Sequence, residues 1–536
     1  MNTPVLIVGG GPVGMTVALD LAHRNIRSIV VERNAATTAH PKMDITNGRS
    51  MELFRRVGLV DSLRAVAVDE THPFDVSWMT TLAGHELHRF SYPSVSDHRN
   101  IIRATNDGSQ PREPGMRVSQ VEIEPVLKRA IDANPLVDVH FGVEFLALEE
   151  HDDGVVATVR NHFDGSEQKI HCAYLVGCDG GNSRVRDNIG IALSGDAHIM
   201  PRFMTHFRSD ARALLQRWGV AWHYQSINGT LIAQNDRDIW TLHSRFPSDQ
   251  KPETINPSVL LERFAGASFD HEILVANKWS PHLLVADSYS HGRVLIAGDA
   301  AHQYIPTGGY GMNTGIGDAF DVSWKLAAVL SGFGGPQLLA SYEIERRPVG
   351  LRNREASAGH NNVRGKIAAL YGDHLLGSGE AGNQARQRAG AQIHDLGNAE
   401  NESRGIEFGY VYTGSAIVAD EGTTEAESSF IDYRPTTAPG ARLPSTFLAD
   451  GSALFDLLGD WFTLLVFNHT DASQFVAAAI ACNVPLKIIE MTEPEFAKIY
   501  QTNLVLVRPD QHVGWRGNGI ADRNAAIVLL RKCLGW

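Results

Sequence analysis

A glycine-rich turn near the start of the chain has the residue types that hold a dinucleotide phosphate. It fits the pattern G-x-G-x-x-G, and its members are Gly9, Gly10, Gly11, Pro12, Val13 and Gly14. The first pattern glycine permits a tight turn, the second lets the backbone approach a pyrophosphate, and the third allows close packing of helix on strand. Glu32 follows roughly 20 residues later, where a carboxylate can bind ribose hydroxyls.

The segments around this turn have the pattern of a strand, a helix and a second strand. Val5–Val8 is a continuous apolar run, which is typical of a strand buried on both faces. Apolar residues then recur at helical spacing, and Ile29–Val31 is a second apolar run that ends at Glu32. This βαβ opening predicts a Rossmann-like domain, although the turn by itself does not distinguish FAD from NAD.

Two later segments each contain a strand pattern that ends in a small residue and an aspartate. The first is Tyr174–Arg186, in which Asp179 and Gly180 follow an apolar run. The second is Val294–Asn313, in which Asp299 precedes a glycine-rich turn and a long helical pattern. With these three motifs in this order, the chain resembles the class A single-component flavoprotein aromatic hydroxylases, the family of para-hydroxybenzoate hydroxylase and phenol hydroxylase.

The resemblance extends over roughly residues 3–350, and it includes Gln120 at a helix start and the segment Ser341–Pro348. It implies an enzyme that binds FAD non-covalently and takes electrons from NADPH or NADH as a transient reductant. It also implies that O2 adds to the flavin as a C4a-hydroperoxide, which then hydroxylates a small phenolic or other aromatic substrate.

The resemblance assigns roles to individual positions. Asp299 would accept hydrogen bonds from the FAD ribityl chain, and Asp179 would serve both FAD and NAD(P)H. Backbone N–H groups at the start of the helix after the last turn would face the flavin, because a helix N-terminus stabilises the anionic reduced ring. The predicted cofactor residues are Gly9, Gly11, Pro12, Val13, Gly14, Glu32, Arg33, Lys42, Gln120, Asp179, Gly180, Asp299, Gly309, Gly311, Met312 and Asn313.

Three residues are predicted to act near the reacting ring. Asp44 lies on a loop that runs beside the flavin in the family and is the leading candidate for the base that activates a phenol, while a role as a helix cap or salt-bridge partner stays open. Tyr310 stands where the family has a glutamine between two loop glycines, which predicts a position against the flavin or the substrate. Pro306 is expected to shape the same loop. Gly317 and Asp321 also depart from the family pattern.

A segment rich in aromatic residues and histidine, residues 190–290, predicts an antiparallel sheet that binds the substrate. His223, Tyr224 and Trp240 are its candidate substrate contacts. His223 and Tyr224 are adjacent on a strand and point to opposite faces, so only one of them can line the pocket. Aromatic residues on strands are also common in protein cores, so a packing role stays open for each of the three.

The composition excludes several classes of function. The 536 residues include 48 Lys plus Arg and 61 Asp plus Glu, and the net charge of −13 argues against nucleic-acid or anionic-membrane partners. No apolar run reaches the roughly 18 residues of a membrane span, and the N-terminus lacks the pattern of a signal peptide. Four isolated cysteines provide neither a disulfide framework nor a metal site. We therefore expect a cytoplasmic protein without a metal.

We predict an α/β fold with a Rossmann-like FAD-binding domain, an inserted antiparallel β-sheet substrate domain and a C-terminal thioredoxin-like α/β domain. The last rests on Leu504–Arg516, which resembles the C-terminal domain of phenol hydroxylase and polyketide hydroxylases. Its redox C-x-x-C is missing, which predicts a role in packing or in a homodimer. The boundaries are 1–75, 115–190 and 290–390 for FAD, 76–114 and 191–289 for substrate, 391–440 for a linker and 441–536 for the C-terminal domain.

Two alternatives to phenol hydroxylation stay open at this level. The same flavin chemistry serves Baeyer–Villiger insertion, epoxidation, or decarboxylative or dehalogenating hydroxylation, because the pocket rather than the fold selects among them. A flavin-binding protein or reductase without oxygenase activity is the other alternative. The motifs do not separate NADH from NADPH.

Overall fold

The glycine-rich turn connects the first strand to the first helix, as its residue types predict. The computed structural model describes residues 1–245, 251, 254–419 and 429–536. Over residues 1–114 the elements are β1 (Asn2–Val8), α1 (Pro12–His23), β2 (Ser28–Glu32), β3 (Ile45–Thr46), α2 (Gly48–Arg56), α3 (Val60–Arg64), β4 (Val76–Met79), β5 (Glu86–Phe90) and α4 (Val95–Thr105).

The next part of the chain contributes strands to two different sheets. Residues 115–190 contain β6 (Met116–Arg117), α5 (Gln120–Asp132), β7 (Val137–Phe141), β8 (Val143–His151), β9 (Gly154–Asn161), β10 (Glu167–Gly177) and α6 (Arg184–Asn188). The described residues of 191–289 contain β11 (Leu193–Asp196), β12 (Arg202–Arg208), α7 (Arg212–Leu215), β13 (His223–Ser226), β14 (Gly229–Ala233), β15 (Ile239–Arg245), α8 (Pro257–Ala265), β16 (Glu272–Trp279) and β17 (Leu283–Ala286).

Long helices follow, and a small α/β unit ends the chain. Residues 290–419 contain β18 (Ser290–His291), β19 (Val294–Ile296), β20 (His302–Gln303), α9 (Tyr310–Leu330), α10 (Gln337–Ala368), α11 (Gly379–Leu396) and α12 (Arg404–Phe408). Residues 429–536 contain α13 (Leu454–Leu457), β21 (Phe462–Phe467), α14 (Ser473–Cys482), β22 (Leu486–Met491), α15 (Ala497–Tyr500), β23 (Leu504–Val507), β24 (Val513–Gly517) and α16 (Arg523–Cys533).

The first sheet has β1 near its centre, in the strand order β18-β19-β10-β1-β2-β7, and β9 and β8 extend it from β10. β1 is parallel to both β2 and β10. The apolar run Val5–Val8 is buried because helices cover the sheet, and α1 packs between β1 and α9. This arrangement confirms the predicted Rossmann-like domain, in which the glycine-rich turn lies at the carboxyl end of β1.

The second sheet has seven strands in the order β16-β12-β15-β14-β13-β4-β5. Neighbouring strands are antiparallel except β13 and β4, which pair in parallel. The sheet is antiparallel as predicted apart from this one pair, which is parallel because β4 comes from an earlier excursion of the chain and forms no hairpin with β13. One face of the sheet packs on α8, through Leu261 and Phe264, and alternate residues on other strands face a cavity.

A short third sheet joins the two domains. Its order is β11-β17-β20, and β20 follows directly after the turn that carries Asp299. β20 pairs with β17 through Val285 opposite His302 and Leu284 opposite Gln303. The segment predicted to hold the flavin is therefore hydrogen-bonded to β17, the strand that follows β16 of the second sheet along the chain.

The C-terminal unit is a four-stranded sheet in the order β22-β21-β23-β24, with β21 parallel to β22 and antiparallel to β23. α14 and α16 pack together beside it. This arrangement confirms the thioredoxin-like α/β domain. Its cysteines, Cys482 and Cys533, are both unpaired, and Cys533 is buried in the core.

The predicted linker, residues 391–440, is folded in its described part. α11 crosses the predicted boundary at residue 391, and the side chains of Ile406 and Phe408 are buried. This part of the chain therefore packs against the domains rather than separating them, while residues 420–428 lie outside the described part. Within the described ranges, no helix is both long and apolar enough to cross a membrane.

Candidate active site

A cavity of about 850 Å³ opens at the carboxyl ends of β1, β2, β10 and β19. All three motifs contribute to its wall, so segments far apart in sequence meet there. Every predicted cofactor residue except Gly14 and Asn313 lines it, namely Gly9, Gly11, Pro12, Val13, Glu32, Arg33, Lys42, Gln120, Asp179, Gly180, Asp299, Gly309, Gly311 and Met312.

Gly14 and Asn313 do not line the cavity, but they hold segments that do. A Cβ at Gly14 would lie 2.0 Å from the carbonyl oxygen of Gly9, so only glycine permits this packing of α1 against the turn. The Asn313 side chain donates to the carbonyl oxygens of Gly309 and Ile45, at 2.7 and 3.2 Å, and accepts from the Ser50 hydroxyl at 2.7 Å. Asn313 therefore fixes the turn before α9 against the loop that precedes α2.

The glycine-rich turn is shaped for a phosphate. A Cβ built at Gly11 meets no atom within 4 Å, so this backbone is open to the cavity at the N-terminus of α1. Glu32 accepts hydrogen bonds from the backbone N–H of Gly10 and of Asn34, each at 2.8 Å. These bonds hold its carboxylate at the cavity edge, where the ribose of a dinucleotide would lie.

Asp299 presents a carboxylate to the cavity from a single 3-10 turn, Gly298–Ala300. No donor among the described residues reaches its oxygens. Asp299 is exposed to the cavity, and desolvation by the surrounding protein raises its pKa, while the charges of His302 and Lys42 lower it. Since no described donor engages them, its oxygens are free to accept hydrogen bonds from hydroxyl groups of a ligand.

A buried ionic chain supports the turn that carries Asp299. Asp318 accepts from the backbone N–H of Gly298 at 3.1 Å and pairs with His302 at 2.8 Å, both through Oδ2. Its other oxygen accepts from Arg346 at 2.8 Å. Gly317 is also explained, since a Cβ there would lie 2.7 Å from the Arg346 guanidinium.

Asp179 closes a turn at the other side of the cavity. Its two oxygens accept from the Ser183 hydroxyl and from the backbone N–H of Val185, at the start of α6. Burial raises its pKa, which these hydrogen bonds partly offset. Because both oxygens are engaged, a ligand would meet the backbone at Asp179 and Gly180 rather than a free carboxylate.

These features together fit FAD. The cavity offers an open glycine backbone for a pyrophosphate, an acid for a ribose, an unpartnered carboxylate for a ribityl chain and the first turn of α9 beside Gly311 and Met312. The first N–H groups of a helix lack partners within the helix and carry a partial positive charge. They would therefore stabilise negative charge on a bound flavin ring.

A second cavity of about 520 Å³ adjoins the first and is bounded by the substrate sheet, the loop before β3 and the long helix α10. The residues common to both walls are His40, Lys42, Met43, Asp44, Trp279, Pro281, Tyr304 and Pro306. A ligand in the second cavity would thus meet the end of a ligand in the first. Pro306 and Asp44, two of the three predicted catalytic residues, lie at this junction.

Asp44 is held by the substrate sheet. Its Oδ2 accepts from the indole N–H of Trp222 and from Nε2 of His223, the latter at 3.1 Å. Since an ionised carboxylate only accepts, His223 donates from Nε2. Burial alone raises the pKa of Asp44, but the bonds and charge of His223, the Trp222 bond and Arg117 outweigh it, so the pKa lies below its ordinary value. Asp44 is therefore ionised at neutral pH.

The two adjacent sheet residues point to opposite faces, as the strand geometry requires. His223 lines the second cavity, whereas Tyr224 is fully buried in the core on the other face, where its hydroxyl bonds to the carbonyl oxygen of Gly219. Trp240 lies in the same core, with its indole N–H directed to the carbonyl oxygen of Ser209 at 3.3 Å. Neither Tyr224 nor Trp240 lines the cavity, so we remove both from the substrate site.

Tyr310 also lies away from both cavities. It is the first residue of α9, it is 1% exposed, and its hydroxyl hydrogen-bonds to Nε2 of His360 on α10 at 2.8 Å. The left-handed turn at Gly308 and Gly309 directs the side chain into a small core with Ala356. The expected contact of Tyr310 with flavin or substrate is thus replaced by a packing role.

Several cavity residues were not identified from the sequence. Arg202, Arg245 and Arg364 all line the second cavity, and Trp222 contacts Asp44. The alternation of polar residues on β12 and β15 is the signal that was available, because residues two apart share a face. It became interpretable only with the strand register, which brings the two strands side by side.

The C-terminal domain docks through buried charges. Arg508 donates to both oxygens of Glu345 at 2.7 Å and to Asp510 at 2.6 Å, and Lys325 bonds Asp321 at 2.7 Å. Burial, together with the nearby Glu345 and Asp510, raises the pKa of Asp321 to about 8. The unusual Asp321 therefore belongs to an interdomain ionic cluster, in which Arg508 and Lys325 balance the charges of Glu345 and Asp510 while Asp321 keeps its proton at neutral pH.

Comparison with known families agrees with this geometry. Residues 2–357 match the family model described as "FAD binding domain", and residues 436–535 match the one described as "Aromatic-ring hydroxylase, C-terminal". The two matches correspond to the part of the chain that forms the large cavity and to the thioredoxin-like domain.

Individual proteins align over nearly the whole chain. The FAD-dependent monooxygenase apdD of Emericella nidulans is 37% identical, with 99% of this chain and 90% of that protein covered. The solved structure of RebC with bound 7-carboxy-K252c has a TM-score of 0.89 at 34% identity, covering 100% of this chain and 99% of that one. A ternary complex of aklavinone-11 hydroxylase with FAD and aklavinone has a TM-score of 0.83 at 26% identity, covering 99% of each chain.

Proposed function

Because this chain belongs to the family of FAD-dependent aromatic-ring hydroxylases, we propose that it uses NADH or NADPH and O2 to hydroxylate a phenolic substrate. FAD is its cofactor, and monooxygenation of an aromatic compound is its class of reaction. The observation that carries the finer proposal is the place of Asp44 in the wall common to both cavities.

Bound FAD supplies the activation of O2 with electrons from the nicotinamide, and the protein supplies position and electrostatics. The open backbone at Gly11 would hold the pyrophosphate, and Asp299 would hold the ribityl chain. The N-terminus of α9 would face the ring. These are the residues that the first cavity offers to such a ligand.

Asp44 would accept a hydrogen bond from the hydroxyl group of the substrate. Both hydrogen bonds that fix it go to Oδ2, and no donor from the described residues occupies Oδ1. A phenol hydroxyl bonded to Oδ1 gains electron density in its ring, which is what an electrophilic oxygen donor requires. Trp222 and His223 hold the carboxylate in position and keep it ionised.

The rest of the second cavity would seat the ring and exclude water. Trp78, Trp279, Met204 and Ile232 supply apolar wall, and Pro306 borders the junction with the first cavity. Exclusion of water from this junction protects a reactive oxygen species from wasteful decay.

The proposal is tested with the purified full-length protein. We expect a yellow protein with one FAD per chain, whose NAD(P)H oxidation accelerates when a suitable phenol is added, together with a product one oxygen atom heavier. A panel of phenols and hydroxylated aromatic acids, assayed for stimulated NADH and NADPH oxidation and for product mass, supplies the measurement. Bound FAD without any stimulated oxidation or oxygenated product across the panel would contradict it.

A further inference from the structure

Two arginines of the second sheet face the second cavity. Arg202 on β12 lies directly opposite Arg245 on β15 in the antiparallel register, and both line the cavity. Side chains directly opposite on such a pair point to the same face, with Cβ atoms ~5 Å apart. Within the described ranges, neither guanidinium has a hydrogen-bond or ion-pair partner.

Other guanidinium groups in this region have protein partners. Arg364 lines the same cavity, but its Nε and Nη2 bond the two oxygens of Glu400, each at 2.8 Å. Arg117 donates to the carbonyl oxygens of Pro73 and Ala221 at 3.2 and 3.1 Å. Arg202 and Arg245 are half-buried at the cavity wall, where water only partly solvates a charge, so their guanidinium groups are suited to pair with a negatively charged group of a ligand.

The cavity is also unusual in charge for this protein. The chain carries a net charge of −13, yet the second cavity is lined by Lys42, Arg202, Arg245 and Arg364, against Asp44 as the acid among its described lining residues. Burial, as the larger cause, and repulsion from Arg245 and Arg364, as the smaller cause, together lower the pKa of Arg202 to about 10. Arg202 still carries its charge at neutral pH, so the positive field persists.

We propose that Arg202 and Arg245 together bind a carboxylate of the aromatic substrate, so that the enzyme acts on hydroxylated aromatic acids. This inference rests on the proposed function, since it names the substrate class for the same cavity. Two planar guanidinium forks match the oxygens of a carboxylate and give both charge and direction.

The strand register sets the carboxylate apart from the reacting ring. His223 on β13 lies opposite Ile232 on β14, and Ile232 lies opposite Thr241 on β15. Arg245 follows Thr241 by four residues on β15. Two strand spacings across and four residues along place the Cα atoms of His223 and Arg245 about 17 Å apart. The hydroxyl held at Asp44 and the carboxylate held by the arginines would therefore lie at opposite ends of the cavity, as in an acid of more than one ring.

The test uses 6-hydroxy-2-naphthoic acid and its methyl ester as probes, with the FAD-bound full-length enzyme. Dissociation constants are measured from the change in flavin absorbance. We expect the wild type to bind the acid at least about tenfold more tightly than the ester, a difference of ~1.4 kcal/mol. The variant Arg202→Met with Arg245→Met should lose this preference and bind the ester as the wild type does.

Arg208→Met is the matched control. Arg208 lies on the same strand, pairs with Glu272 at 2.9 Å and does not line the cavity, so its loss should leave the preference unchanged. A wild type without preference for the acid, including one that binds neither probe, overturns the proposal even if the double variant fails to fold. A double variant that keeps the preference for the acid also overturns the proposal. So does a double variant that binds NADPH more weakly than the wild type but binds the acid equally well.

Failure of the proposed function gives a different result. If the acid binds through the arginines but causes no stimulated NAD(P)H oxidation and no oxygenated product with this or any panel compound, the hydroxylase proposal fails while the carboxylate site stands.

Discussion

Replacement of Asp44 by asparagine removes the charge at the cavity junction while it preserves the size of the side chain. The donors at Trp222 and His223 both point at Oδ2, so they would hold the amide oxygen there. The amide NH2 then takes the place of Oδ1 and presents a donor to the substrate hydroxyl. The variant therefore replaces an acceptor by a donor at the position where the substrate needs an acceptor.

The size of the effect follows from the bond that is lost. A hydrogen bond to a charged group contributes ~1.5–3 kcal/mol, which corresponds to a decrease of about 10- to 150-fold in the rate of product formation. If Asp44 also takes the proton in the transition state, the loss reaches about 10²- to 10⁴-fold. FAD content and the reduction of the flavin by NAD(P)H without substrate should change little.

The assay follows oxygenated product and, separately, reduction of the bound FAD under anaerobic conditions. His206→Gln is the matched control, because His206 is a buried histidine of the same sheet that bonds the Thr241 hydroxyl at 2.9 Å and lies outside both cavities. Product formation by Asp44→Asn within threefold of the control, at equal FAD content, would refute the assigned role of Asp44.

Three further predictions follow from the contacts. Trp222→Phe removes a bond that lowers the pKa of Asp44, so the pKa rises and the acid limb of the pH–rate profile should move to higher pH by about one unit; an unmoved or lowered limb contradicts this. Gly11→Ala adds a methyl group that meets only the cavity, so its thermal stability should equal that of the control Gly359→Ala. It should bind FAD at least about tenfold more weakly than this control in an equilibrium titration. Arg508→Met leaves the buried carboxylates of Glu345 and Asp510 without their cation, so the free energy of unfolding measured in urea should fall by ~3–5 kcal/mol. The control Arg523→Met, at an exposed arginine, should change this free energy little.

The cofactor cradle was predictable because its parts are short and local. Gly14 is specified by close packing within a single turn, and Gly11 by the room that a pyrophosphate needs beside the same turn, so both requirements are visible in the sequence without knowledge of the rest of the fold. Asp299 was predictable for the same reason, although its supports, His302, Asp318 and Arg346, come from three different elements.

The substrate cavity was only partly predictable. Sequence reasoning gave the correct rule for His223 and Tyr224, that they face opposite sides, but it did not decide which of them faces the cavity. The pair Arg202 and Arg245 depends on strand register, which a one-residue shift would destroy. Tyr310 lies away from the cavities because the preceding glycines adopt left-handed conformations, a choice of backbone that the residue types permit but do not specify.

The measurement that tests the central claim most directly is a turnover under ¹⁸O2 with the FAD-loaded enzyme, NAD(P)H and the best compound of the phenol panel. We expect one ¹⁸O atom in each product molecule, on the ring, and a loss of this product in Asp44→Asn. A product whose new oxygen comes from water, or oxidation of NAD(P)H that yields only hydrogen peroxide with every compound, would contradict the account.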